Sequence, residues 1–208
     1  MKIRVGKGMW IVMLLTVGAG MIGMARRQAG VAELWEQGSL WLTVGTAALL
    51  HELGHFVAAR LVGVQVSQAK MDLFGARLEL GGLISYPREW LVAACGPLVN
   101  VLCGVAAYPP AAAGKEWAVW FVGASLTLAA VNLLPVETLD GGRMLSCAVA
   151  WLFGDAAAVV VTRVTTGVCM GLLWMLSVYA LLRAEQLLSV FVFSLCLLLR
   201  CIKRGENC

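Results

Sequence analysis

The chain contains two histidines in 208 residues, and they stand four positions apart in the sequence HELGH, residues 51–55. Positions i and i+4 share one face of an α-helix, so His51 and His55 can both reach a single ion. Glu52 lies about 100° further round such a helix, within reach of a water held by that ion. The pattern predicts a divalent metal site with a glutamate as general base, an arrangement suited to hydrolysis. The simpler alternative is a pair of histidines that hydrogen-bond inside a bundle of helices.

A catalytic zinc ion needs a third protein ligand besides these two histidines. The chain has no third histidine, so a carboxylate is expected if the ligand is not a cysteine. Glu79 lies 24 residues after His55, and Asp140 lies 85 residues after it. Two glycines follow Asp140 and allow the backbone to approach a site closely. Asp140 is therefore the favoured third ligand, and Glu79 is the alternative.

The composition places this motif in a membrane. Hydrophobic residues make up 61% of the chain and charged residues only 13%, whereas a typical soluble domain has about 25% charged residues. So few charges exclude an ordinary soluble domain and a nucleic-acid-binding protein. The net charge of +4 adds little, because basic residues collect at the ends of membrane helices. Ionisable groups inside an apolar segment are costly and are usually functional, which again singles out residues 51–55.

Apolar runs predict an all-α polytopic membrane protein of about six transmembrane helices, folded as a single domain over residues 1–208 with a catalytic core at about 39–143. The predicted spans cover residues 8–25, 39–59, 91–114, 117–136, 164–182 and 186–199. All but the last approach the roughly 18–20 residues that cross a bilayer. An amphipathic segment over residues 141–153 is expected to lie at the membrane interface. Basic residues near both termini predict that both are cytoplasmic.

A short membrane-associated β-hairpin is predicted between the second and third spans. Residues 64–86 contain stretches in which apolar residues alternate, and Phe74 and Gly75 stand where a turn would join two strands. The hairpin is either an ordinary cytoplasmic connection or an edge that offers hydrogen bonds to an extended peptide. On the second interpretation, Phe74 and Gly75 are substrate-binding residues.

Three sequence elements together resemble the site-2 protease family of intramembrane zinc metalloproteases. They are HELGH, a Gly-Pro-Leu-Val-Asn element over residues 96–100, and Asn-Leu-Leu-Pro followed by Asp-Gly over residues 132–141. The resemblance covers about half of the chain, with the elements in the family's order. It implies one Zn²⁺ per chain held by His51, His55 and Asp140. It also implies that Glu52 is the catalytic acid and base, and that Asn132 binds the substrate backbone near the metal.

Within that family, the chain looks most like the stage IV sporulation protein FB branch. The similarity lies in residues 132–143 and in FGARLEL, residues 74–80. It implies a sigma-factor precursor, or another membrane-tethered regulator, as substrate. Few residues follow the last predicted span, so a C-terminal CBS domain is not expected here.

The expected location is the cell membrane, or in a spore former the membrane around the forespore. The expected partners are a membrane-associated protein substrate and the lipid bilayer, with inhibitory membrane proteins as a further possibility and no nucleic acid. The competing hypothesis is a membrane metal-binding or transport protein that uses the same ligands without proteolysis.

Overall fold

A computed structural model of the chain describes residues 2–5, 31–72, 75–81 and 84–183, with side chains over residues 38–64 and 84–179. Within these ranges the chain forms three strands and six helices. The strands are β1 (Lys2–Val5), β2 (Gln65–Asp72) and β3 (Gly75–Gly81). The helices are α1 (Val31–Leu61), α2 (Tyr86–Ala106), α3 (Tyr108–Ala112), α4 (Glu116–Asn132), α5 (Asp140–Phe153) and α6 (Asp155–Arg183).

Helix α1 carries the HELGH motif near its C-terminal end. Its 31 residues correspond to a length of about 46 Å. The helix ends because Gly63 adopts a φ of 72°, the left-handed conformation that glycine provides after a helix. The backbone N–H of Val64 then donates to the carbonyl of Ala59 at 2.9 Å. This turn sends the chain directly into β2.

The segment predicted as a hairpin contains two antiparallel strands. β2 pairs with β3 from Gln65 opposite Gly81 to Asp72 opposite Gly75, with a register shift between Val66 and Gln68. β1 pairs with β2 in parallel, so the strand order is β1-β2-β3. β3 therefore lies at one edge of the described sheet. Of the two residues predicted to form the turn, Phe74 lies outside the described residues and Gly75 is the first residue of β3.

Helix α2 packs closely against α1. A buried apolar cluster joins the end of α1 to the start of α2; its members are Ala58, Ala59, Val64 and Val92. A Cβ atom on Gly54 of α1 would lie 2.8 Å from the carbonyl oxygen of Cys95 on α2, so only glycine fits there. Close approach through small residues is the usual basis of helix packing in membranes. It places the histidine face of α1 against α2.

Prolines shorten two of the predicted spans. The span predicted over 91–114 is interrupted, because α2 ends at Ala106 and the separate helix α3 begins with Pro109 in its first turn. Proline is accepted in a first turn but cannot donate the hydrogen bond that a continuing helix needs. Similarly, α4 ends at Asn132, three residues before Pro135, although the span was predicted to reach residue 136.

Helices α5 and α6 are separated by a single glycine. The amphipathic segment predicted over 141–153 is helix α5, and Gly154 follows it with a φ of 86°. Helix α6 then begins at Asp155, nine residues earlier than the predicted start of the span at 164. Aspartate in the first turn stabilises a helix through its dipole, a signal that an apolar-run criterion does not see.

Two described helices, Tyr86–Ala106 and Asp155–Tyr179, are long and apolar enough to cross a membrane. α6 has one face of small, polar and sulphur-containing residues turned inward and one aliphatic face turned outward. The buried members are Ala158, Thr162, Thr166 and Met170, and the exposed members are Val160, Val164, Val168 and Leu172. An aliphatic outer face fits lipid better than water. The expectation of about six spans stays a prediction, since residues 8–25 and 186–199 lie outside the described residues.

The start of α5 is pressed against the segment that follows α4. A Cβ atom on Gly142 would lie 2.1 Å from the carbonyl oxygen of Val136, which is fully buried. We therefore expect Gly142→Ala to destabilise the folded chain by about 2 kcal/mol or more, because backbone must move to admit the methyl group. Thermal unfolding of the detergent-solubilised protein measures this loss.

Gly123→Ala is the matched control, because a Cβ atom there meets nothing within 4 Å. Alanine in an open helical position is neutral or stabilising by up to about 1 kcal/mol. Equal unfolding temperatures for the two variants would contradict the close contact at Gly142.

Candidate metal centre

Three side chains from two distant parts of the chain converge at one point. His51 Nε2 and His55 Nε2 lie 3.2 Å apart, and each lies 3.1 Å from Oδ2 of Asp140. Both histidines are buried, and the Asp140 side chain is only 15% exposed. The two imidazole planes are nearly perpendicular, with centroids 4.8 Å apart. The three ligand atoms form a small triangle inside the helix bundle.

The other ring nitrogens of the two histidines face α2. His55 Nδ1 lies 2.7 Å from the backbone carbonyl oxygen of Val92 and donates a hydrogen bond to it. In neutral His55 this contact places the proton on Nδ1, which leaves on Nε2 the lone pair that a metal ion would need. His51 Nδ1 lies 3.3 Å from the amide nitrogen of Asn100, which is fully buried. The amide oxygen of Asn100 is buried without a hydrogen-bond partner.

Gly96 makes room for the imidazole of His55. A Cβ atom on Gly96 would lie 2.2 Å from His55 Nε2. Pro97 follows within α2 and is fully buried. The Gly-Pro pair therefore gives α2 a surface without side-chain bulk directly opposite the second histidine.

Asp140 is held by the segment between α4 and α5. The N–H of Leu139 donates to the carbonyl of Val136 at 2.8 Å, and the N–H of Glu137 donates to Oγ1 of Thr166 on α6 at 2.9 Å. Val136 and Leu139 also belong to a buried apolar cluster with Met170 of α6. Packing against α6 thus fixes the backbone from which the Asp140 carboxylate reaches the histidines.

The Asp140 carboxyl group is ionised at neutral pH. Burial opposes its ionisation, but hydrogen bonds and charge interactions with His51 and His55 outweigh burial and lower its pKa to about 2. By contrast, burial raises the pKa of the Cys147 thiol, further along α5, to about 11. That thiol is protonated and is a poor metal ligand.

The three donor atoms suit a zinc ion. Zinc–nitrogen and zinc–oxygen bonds of about 2.0–2.2 Å in a tetrahedron place neighbouring ligand atoms roughly 3.3 Å apart. The 3.1–3.2 Å separations here are close to that value. Two neutral imidazoles and one carboxylate leave a fourth position open, as catalytic zinc sites require. Among the described residues, His51, His55 and Asp140 form a group that could hold a metal ion.

The remaining predicted site residues lie at separate places. Glu52 is half-buried on α1, next to His51. Asn132, the last residue of α4, donates from its amide nitrogen to the carbonyl of Leu128 in its own helix at 3.0 Å. The alternative ligand Glu79 lies in β3 opposite Gln68. Gly75 begins β3, and Phe74 lies outside the described residues.

The sequence did not reveal how α2 contacts the histidines. Gly96 and Asn100 belong to the Gly-Pro-x-x-Asn element, which is recognisable in the sequence. Their contacts with His55 and His51, however, depend on how two helices pack. The contact of His55 with Val92 is made by a backbone carbonyl. No side-chain pattern could have indicated it.

Comparison with known proteins gives three similarities. Residues 110–176 match Peptidase family M50, a region that includes Asp140 but not the HELGH motif. The putative zinc metalloprotease Rip3 of Mycobacterium tuberculosis, found in two strains, is 33% identical over 121 residues. That match covers 52% of this chain and 30% of the relative, so less than a third of the relative's length is represented here. The Site-2 Protease from Methanocaldococcus jannaschii is similar in structure, with a TM-score of 0.67 at 20% identity, covering 94% of this chain and 86% of that one.

The chain is thus similar in sequence to peptidase family M50 over residues 110–176 and similar in fold to a site-2 protease. The structural similarity shows a shared fold, and the curated relatives are named as zinc metalloproteases. The family implies Zn²⁺ as cofactor, consistent with the three-residue cluster.

The contact between Gly96 and His55 yields a test of the metal centre. Gly96→Ala should weaken zinc binding by more than about 100-fold, because the added methyl group displaces an imidazole from the triangle. The zinc-to-protein ratio of the purified full chain, measured by mass spectrometry of the metal, reports the loss.

Gly104→Ala provides a control on the same helix, where a Cβ atom would meet the Leu126 side chain at 3.3 Å and the Ser125 side chain at 3.7 Å. It should retain zinc. A Gly96→Ala protein that retained zinc as well would show that His55 is not a ligand.

Proposed function

We propose that this chain is an intramembrane zinc metalloprotease in which His51, His55 and Asp140 hold the metal and Glu52 is the general acid and base. The main support for the proposal is that Asp140 meets His51 and His55 of α1, the helix that also carries Glu52. The match to Peptidase family M50 and the relatives named as zinc metalloproteases support it. One zinc ion per chain is expected, since the cluster supplies one set of three ligands.

When bound, Zn²⁺ would act as a Lewis acid that activates water and polarises a carbonyl. The chain's own residues supply the rest of the proposed reaction. Glu52 takes a proton from the attacking water and delivers it to the nitrogen of the leaving amine. The carbonyl of Val92 keeps His55 in the tautomer that offers Nε2. The apolar helices around the cluster limit the entry of further water.

The substrate must be extended where it is cut, because the peptide bonds of a helix are engaged in its own hydrogen bonds. β3 has β2 on one side and lies at the edge of the described sheet. A strand at an edge can add an extended peptide through backbone hydrogen bonds. We infer that β3 holds the substrate in this way. The proposed substrate-binding residues are Gly75 at the start of the strand, Phe74, which precedes it in the sequence, and Asn132 at the end of α4.

The proposed protein spans the cell membrane about six times, with both termini in the cytoplasm. It forms one domain over residues 1–208 with its catalytic core at about 39–143. Two described helices of sufficient length and apolarity, and the basic residues near both ends of the sequence, support this topology. The proposed partners are a membrane-associated protein substrate, the lipid bilayer and inhibitory membrane proteins.

The finer proposal for the substrate is a membrane-associated sigma-factor precursor, with action in the membrane around the forespore if the host forms spores. Its support is the resemblance of residues 74–80 and 132–143 to the sporulation branch. The alternative substrate for the same proteolytic reaction is another membrane-tethered regulator. A metal transporter using the same ligands is the alternative from a different class, favoured only by the ligand set itself.

Replacement of Glu52 separates these hypotheses. Glu52→Gln should lower cleavage by on the order of 10²- to 10⁴-fold and leave zinc binding intact, because glutamine keeps the shape of the side chain but cannot take a proton. The measurement is co-expression of wild type or variant with the host's membrane-associated sigma-factor precursors, read as product size. Bound zinc is measured on the purified proteins.

Leu53→Ala is the neighbouring control on α1, since the Leu53 side chain is 52% exposed; it should cleave like wild type. Cleavage by Glu52→Gln would contradict the role of Glu52. The transporter hypothesis would be favoured if the wild type cleaves no substrate and Glu52→Gln transports metal at the wild-type rate. If the wild type processes no precursor but cleaves another membrane protein, the sporulation substrate is wrong and the protease stands.

A second prediction concerns β3. Leu78→Pro and Leu80→Pro should each reduce turnover by about 10-fold or more. Proline removes a backbone N–H of the strand, so a hydrogen bond with the substrate backbone is lost. Zinc content should stay at the wild-type value, since neither residue belongs to the metal cluster. Cleavage assays with paired metal analysis test both statements. Turnover that does not change in either variant would exclude β3 as the substrate strand.

A further inference from the structure

We infer that Asn100 is a positioning residue for the metal centre: its side-chain oxygen accepts a hydrogen bond from Nδ1 of His51 and thereby directs Nε2 of His51 toward the metal. The inference rests on the proposed role of His51 as a ligand. It concerns a residue that belongs neither to the three ligands nor to the proposed acid and base.

Asn100 is a polar residue buried beside the ring of His51. Asn100 is fully buried in α2 and lies 3.3 Å from His51 Nδ1. A carboxamide in such a place destabilises the fold for each polar group that is left without a hydrogen bond. Its oxygen currently has no partner. The Asn100 oxygen is thus free to accept a hydrogen bond from the His51 ring if the amide turns to face it.

The tautomer required for metal binding decides which amide atom faces His51. A histidine that binds through Nε2 carries its proton on Nδ1, as the contact of His55 with the Val92 carbonyl shows for the second histidine. A protonated Nδ1 of His51 would then face the NH₂ group of Asn100, so two donors would meet at 3.3 Å. Half a turn of the carboxamide exchanges its oxygen and nitrogen, which have nearly the same size.

This half-turn replaces the clash with a hydrogen bond from His51 Nδ1 to the Asn100 oxygen. The number of hydrogen bonds made by the amide is unchanged, because the amide nitrogen then occupies the place where the oxygen now lies unpartnered. The tautomer of His51 therefore selects between the two orientations of the amide. With Nε2 protonated, the amide nitrogen donates to Nδ1; with Nε2 free to bind a metal, the amide oxygen accepts from Nδ1.

Helix α2 would thus orient both histidines, each through a different chemical group. Val92 acts with a backbone carbonyl and Asn100 with a side chain two turns further along α2. Mutation of such outer partners typically lowers metal affinity by about 10- to 100-fold. Since the Val92 carbonyl cannot be removed by substitution, Asn100 is the position at which this support can be tested.

The test is the zinc affinity of the purified full chain in detergent, measured by competition with a chromogenic chelator. Asn100→Leu, which keeps the approximate size but has no acceptor, should bind zinc about 10- to 100-fold more weakly than wild type. Asn100→Asp, which can only accept at this position, should bind within about threefold of wild type or more tightly. Rescue by aspartate is the result that a merely structural role for the amide does not produce.

Ser125→Ala is the matched control, because Ser125 is also fully buried and its hydroxyl has no hydrogen-bond partner. Its zinc affinity should equal that of wild type. Loss of affinity in Ser125→Ala equal to that in Asn100→Leu would assign the effect to general packing and overturn the inference. So would wild-type affinity in Asn100→Leu. If Asn100→Leu does not fold, the comparison of Asn100→Asp with wild type decides: affinity 10-fold weaker than wild type overturns the inference.

Zinc binding by the wild-type chain separates the role of Asn100 from the existence of the metal centre. If the wild-type chain binds no zinc, the metal centre itself is wrong. If the wild type binds zinc and the Asn100 variants contradict the expected order, only the positioning role of Asn100 falls.

Discussion

The fold depends on bringing two imidazoles and one carboxylate within about 3 Å of each other inside an apolar bundle. A carboxylate buried there is costly unless charge and hydrogen bonds compensate for its lost hydration. Asp140 obtains this compensation from His51 and His55, each 3.1 Å from its Oδ2. The residues come from segments 85 positions apart, so the contact fixes how α1 and the start of α5 meet. A dication at the same point would complete the charge balance.

Glycines permit the backbone approaches that this contact demands. Gly54 lets α1 meet the carbonyl of Cys95, Gly96 leaves space for the His55 ring, and Gly142 lets α5 begin against Val136. Side chains elsewhere hold the arrangement: the hydroxyl of Thr166 on α6 accepts from the backbone of the segment that precedes Asp140. The candidate metal site is therefore built from close backbone packing, with contacts from α2 and α6 that support the elements carrying its residues.

Much of the site could be predicted because an apolar sequence makes each ionisable residue informative. The spacing of His51 and His55 needs only helical periodicity, and Asp140 was indicated by the glycines that follow it. The support from α2 could not be predicted in the same way, because the contact between Asn100 and His51 arises from two helices packing, and Val92 contributes a backbone carbonyl. Helix ends were misplaced for local reasons: Pro109 starts a new helix, and Asp155 lets α6 begin before the apolar run does.

The central claim is that one metal ion is held by two histidines and a carboxylate. X-ray absorption at the zinc edge, on the purified full chain loaded with zinc, measures that ligand set without any substrate. Zinc held by His51, His55 and Asp140 should give a shell of nitrogen and oxygen atoms at about 2.0–2.2 Å with the outer scattering of two imidazole rings. Sulphur in the first shell, at about 2.3 Å, or the scattering of a single imidazole would contradict it.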